Sequence, residues 1–90
     1  MCDMAFKIEV DVKNADLRYS KTVFLFRTAE RYAEALELIK EDTGGETEGI
    51  CVSFAWSECL GVQISPATYF ELERLADIVE EIPPLDEEDP

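Results

Sequence analysis

Carboxylates are the reactive groups this sequence supplies in quantity. Its 90 residues include 21 aspartates and glutamates against eight lysines and arginines, for a net charge of -13, with no histidine. Without imidazole, the usual proton carrier of general acid–base and triad chemistry is missing. A cysteine nucleophile at Cys2, Cys51 or Cys59 would need nearby positive charge, and acidic surroundings raise a thiol's pKa instead. Zinc finds no CxxC pair and no imidazole. The loop from Asp42 to Ser53 fails as a calcium hand, because its sixth position is Thr47 and its twelfth Ser53, where glycine and glutamate are required. Gly44-Gly45 is followed by no GK[ST], so it cradles no phosphate. Carboxylates are too numerous for the proximity of any two to mark a glycosidase. The expectation is a protein that is not an enzyme, with no cofactor and no metal.

Carboxylates can also meet cations borne by another macromolecule, and here their order along the chain matters. A helix predicted from Ser65-Pro66 to Ile82 places Glu73, Asp77, Glu80 and Glu81 on one arc, opposite Leu75 and Val79. Four residues rise about 6 Å, of the same order as the ~3.4 Å between phosphates along a DNA strand. Glu34, Glu37 and Glu41 form a second row on a helix predicted from Thr28 to Glu41, and the following loop adds Asp42, Glu46 and Glu48. Ordinary helix faces mix signs, because i,i+4 pairs of opposite charge stabilise them. Arg74 is the only base of the second predicted helix. Negative charge at its C-terminal end opposes the macrodipole at about 0.3–1 kcal/mol per group, so stability alone does not select the arrangement. Residues 1–27 sum to +1 and residues 28–90 to -14, which leaves the first part of the chain near neutral.

These rows need elements to carry them. Met4 to Val12 alternates apolar and charged residues, the mark of a half-buried strand. Asn14-Ala15-Asp16 supplies a turn, and Tyr19 to Arg27 a second strand in antiparallel hairpin with the first. Thr28 is the expected N-cap of the first helix, Tyr32, Ala35, Leu36 and Ile39 its buried stripe, and Gly44 or Gly45 its left-handed cap. Ile50 to Trp56 reads as a third strand with Ile50, Val52, Phe54 and Trp56 facing the core, and Leu60 to Ile64 as a fourth. Ser65 caps the second helix with Pro66 at its first position, and Pro83-Pro84 ends it. The order ββαββα implies an α+β fold: a four-stranded antiparallel sheet with two helices packed on one face.

The length supports one domain over 1–84, followed by an acidic flexible tail over 85–90. The longest apolar run is Val23-Phe24-Leu25-Phe26, far short of a membrane span. Met1-Cys2-Asp3-Met4 has no basic n-region or apolar h-region, so the expectation is a cytoplasmic protein. Three irregularly spaced cysteines fit a reducing compartment. A field of this sign repels nucleic acid and anionic membranes. An edge strand able to pair with its twin allows a homodimer.

In length, a pI near 4.1, the α+β pattern and the row Glu73, Asp77, Glu80 and Glu81, the chain resembles the small acidic inhibitors of phages and mobile elements, including anti-CRISPR proteins. That resemblance implies a CRISPR effector complex or another basic nucleic-acid-binding protein as partner, with carboxylates standing in for phosphates and blocking nucleic-acid binding. The alternative is a protein–protein adaptor or antidote that uses an apolar patch or sheet edge, with the small-residue face of the third strand and the pair Tyr69 and Phe70 as its contacts. An acidic domain of a high-salt cytoplasm would carry the same charge with no partner.

Overall fold

The computed structural model describes residues 6–83. Cys2, Met4 and the acidic tail 85–90 lie outside the described residues. The elements run β1 (Phe6–Lys13), β2 (Tyr19–Phe26), α1 (Ala29–Thr43), β3 (Ile50–Ser53), β4 (Val62–Ile64), α2 (Pro66–Leu75) and β5 (Ile78–Ile82). The order is therefore ββαββαβ, and the sheet is five-stranded and mixed, β4-β3-β1-β2-β5. The α+β class and the two helices stand as expected; the four-stranded antiparallel sheet does not.

Alternation in β1 works as the sequence suggests. Ile8, Val10 and Val12 are buried under the helices, and Lys7, Glu9 and Asp11 face the other way. β2 pairs with β1 antiparallel along its whole length, from Phe6 opposite Phe26 to Lys13 opposite Tyr19. Phe24 and Phe26 add the largest fully buried side chains. Thr28 caps α1 by accepting the Arg31 amide, and Gly44 closes it at φ 80° with its N–H on the Lys40 carbonyl, a conformation that favours glycine. Ala35 and Ile39 of α1 are buried, as are Tyr69 and Leu72 of α2. The core therefore lies between both helices and one face of the sheet.

Three expectations fail, for physical reasons. The second helix stops at Leu75 and not at Ile82. Ala76 is extended (ψ 144°), and Asp77 donates its amide to the Leu25 carbonyl, so the chain joins the sheet beside β2. The apolar spacing 72, 75, 76, 79, 82 fits a helical period, but Ile78, Val79 and Ile82 are β-branched and Ile82 precedes Pro83, both of which favour extension. Secondly, β3 lies parallel to β1, with Val12 opposite Val52, and β4 lies parallel to β3, with Ile50 opposite Val62. Thirdly, β3 ends at Ser53, and Trp56 is 81% exposed instead of continuing the core.

Candidate functional site

The segment 54–61 joins two parallel neighbours, which ordinarily takes a crossover of about a dozen residues and usually a helix. Eight residues do it here. So short a connection has no room to form a layer that would bury its own apolar side chains. The Lys13 ammonium donates to Ser57 Oγ (2.9 Å) and to the Glu58 carbonyl (3.1 Å). Ser53 Oγ donates to the Ser57 carbonyl (2.6 Å) and accepts from the Ala55 amide (3.2 Å). Cys51 Sγ donates to the Leu60 carbonyl (2.9 Å). Lys13 and Cys51 project from the sheet face opposite the helices, so the crossover is pinned across that face. Gly61 takes φ 100°, and a Cβ there would lie 3.1 Å from the Gly49 carbonyl oxygen; the chain's return to β4 needs a glycine. Held this way, the crossover leaves Trp56 81% and Leu60 87% exposed.

Beneath the crossover, Cys51 and Cys59 are buried free thiols. Burial, with the Cys59 thiol and the charge of Asp11 nearby, pushes Cys51 up to about 12. At that value the thiol stays neutral at physiological pH and is no nucleophile. Beside β3, Phe54 stacks edge-on against Tyr69 (centroids 5.5 Å) and lies 5.9 Å from Phe70. Of the adjacent pair, Tyr69 is buried and Phe70 exposed. The Tyr69 hydroxyl is 2.9 Å from Thr22 Oγ1 inside the core. Burial raises its pKa, the Thr22 contact opposes this, and the charges of Glu73 and Glu81 add to the rise.

The row Glu73, Asp77, Glu80 and Glu81 is divided among three places. Glu73 stays on α2, half-buried. Asp77 is a joint of the fold: its Oδ2 accepts the Arg27 amide (2.8 Å) and its Oδ1 lies 3.7 Å from the Arg31 guanidinium. Glu80 and Glu81 are consecutive in β5, so they point to opposite faces. Glu81, opposite buried Thr22, takes the helix side with Glu73, and both act on Tyr69. Glu80 takes the other side, opposite Val23.

Glu34, Glu37 and Glu41 remain a row on α1, all exposed, and Glu30 extends it. Spacings of four, three and four place these carboxylates within a narrow arc about 16 Å long. Asp42 belongs to the fold instead: its Oδ2 accepts the Ser65 amide at 2.8 Å. Burial works to raise its pKa, but hydrogen bonds from the Ser65 backbone and from the Thr68 and Ser65 side chains outweigh it and hold Asp42 below the usual value. Glu46 and Glu48 are exposed in the loop before β3.

The sequence reading missed Trp56 and Leu60 as surface residues. No local signal marks them, because the alternation of Ile50, Val52, Phe54 and Trp56 reads as a continuing core-facing strand. Among the described residues no group of three or more His, Cys, Asp or Glu could hold a metal, and no helix is long and apolar enough to cross a membrane. Comparison with protein-family models, curated proteins and solved structures finds no match.

Proposed function

We propose that the chain is a non-enzymatic protein-binding module of the adaptor or antidote kind, which docks on a basic partner protein through Trp56 and Leu60. The observation that carries this reading is their near-complete exposure on a loop held by five hydrogen bonds. Tryptophan dominates binding hot spots because it supplies large contact area at little entropic cost. A pinned loop has already lost the freedom that docking would otherwise remove. The acidic helical layer steers a partner of opposite sign.

A second reading keeps the anti-CRISPR-like inhibitor, with carboxylates competing for a nucleic-acid-binding groove. The stripe Glu30, Glu34, Glu37 and Glu41 favours it. The arc Glu73, Asp77, Glu80 and Glu81 does not, because its members are spread over α2, a joint and both faces of β5.

One experiment separates the two. Tagged wild type, W56A/L60A and E34K/E37K/E41K are used to capture partners from a bacterial lysate, with elution by stepwise salt. Loss of a salt-resistant partner in W56A/L60A, at unchanged melting temperature, supports apolar docking. Capture that fails only in the α1 variant, and is released by moderate salt or by competing DNA, transfers the case to mimicry.

A further inference from the structure

We propose that the outer edge of β5 accepts an extended, lysine- or arginine-bearing segment of a partner protein as a sixth strand. The inference rests on the protein-binding reading but uses a different surface from Trp56 and Leu60. β5 ends the sheet order, and among the described residues no strand lies beyond it. Its five residues, Ile78–Ile82, span about 17 Å, the length of an ordinary strand. The opposite edge, β4, has only three residues. Exposed edges are commonly protected by charged side chains, lysine above all, by proline or by a bulge; the charges of this edge are Glu80 and Glu81 alone, which repel a like-charged strand and admit a basic one. Ile78–Ile82 contains neither lysine nor proline, and its pairing with β2 runs unbroken from Lys21–Ile82 to Leu25–Ile78. Ile78 and Ile82 are 41% and 48% exposed, ready to take cross-strand apolar contacts.

Charge selects the occupant. Glu80 and Glu81 put a carboxylate on each face of the edge, and β5 has no base of its own. A second copy would bring the same carboxylates together, and like charges across a strand pair are destabilising. A basic segment would meet them with opposite sign. At the Ile82 end, Asn14, Ser20, Glu81, Ile82 and Pro83 line a hollow of about 430 Å³. A lysine or arginine entering it would lay its stem on Ile82 and Pro83 and bring its cation to Glu81.

The test uses the full chain labelled with ¹⁵N and three short peptides. The first alternates lysine with threonine and valine, the second replaces lysine by glutamate, and the third has proline at alternate positions. The lysine peptide should slow amide exchange across Ile78–Ile82, and neither control should. E80K/E81K should weaken that binding at least tenfold at low salt, and E80Q/E81Q by less. W56A/L60A should leave it unchanged, so failure here and failure of the lysate experiment are separate results. Perturbation confined to α1, equal binding by E80K/E81K, or concentration-dependent self-association through β5 would each overturn the proposal.

Discussion

The two faces of the sheet are built on different terms. The covered face carries Val10, Phe24, Phe26 and Val52 with no exposure at all, closed by α1 and α2. Among the described residues, no helix covers the opposite face. Lys7 and Lys21 both pair with Glu9, at 3.2 and 3.4 Å, and the pinned crossover shields Cys51. On the first face, burial of large side chains supplies most of the stability. On the second, exposed ion pairs contribute at most about 1 kcal/mol each, and the crossover leaves Trp56 and Leu60 facing solvent. The comparison teaches that the residues holding the fold and those proposed for recognition are different, so the proposal predicts that stability and binding can be broken separately.

Phe24→Ala should break the covered face most severely, at about 3–5 kcal/mol of unfolding free energy, read from urea midpoints. Ile78→Ala on β5, already 41% exposed, should cost well below half of that.

Asp77→Ala should come next. It strips the Arg27 amide of its acceptor and the Arg31 guanidinium of its ion-pair partner, leaving that guanidinium its hydrogen bond to the Leu75 carbonyl, for about 1–3 kcal/mol. Glu80→Lys, three residues along on the outer face of β5, should stay within about 0.5 kcal/mol. A variant that changes both together would confuse unfolding with lost binding.

Trp56→Ala should leave stability within about 0.5 kcal/mol of wild type while removing partner capture. Trp56 is the sole tryptophan and 81% exposed, so its emission should move little on unfolding and be readily quenched by acrylamide in the native state.

Asp42 sharpens the comparison by pH. Its carboxyl is held below its ordinary value of 3.8 in the folded chain, so its contribution is complete above that value and disappears as pH falls through the lower folded one. Wild type should exceed Asp42→Asn at neutral pH, and the difference should vanish in strong acid, followed by chemical denaturation. The smallest effect should be at Cys51. With a pKa of about 12, it should resist iodoacetamide at pH 8 in the folded protein and react on unfolding, as read by intact mass.

Legibility followed locality. The β1–β2 hairpin, the caps Thr28, Gly44 and Ser65, and the buried positions Ala35 and Ile39 of α1 were readable because neighbours within one turn or one alternation decide them. Residues 76–82 were not. Their apolar spacing satisfied a helix as well as a strand, and the deciding term was the free edge of β2, whose Leu25 carbonyl takes the Asp77 amide. Trp56 was misplaced for a related reason: Ile50, Val52, Phe54 and Trp56 alternate, but alternation cannot report where a strand must turn to reach a parallel neighbour. The acidic rows divided on the same line, with the α1 stripe surviving and the Glu73-to-Glu81 arc dispersing.

By itself, then, the sequence determined the α+β class, the charge, the absence of imidazole chemistry and the hairpin that seeds the sheet, because composition and short-range periodicity suffice for these. Only the tertiary structure decided that the sheet is mixed, that the last strand replaces the end of a helix, and that Trp56 and Leu60 face solvent. Those outcomes depend on backbone hydrogen bonds between segments more than forty residues apart, such as Asp77 to Leu25 and Phe54 to Lys13, whose partners no local pattern specifies.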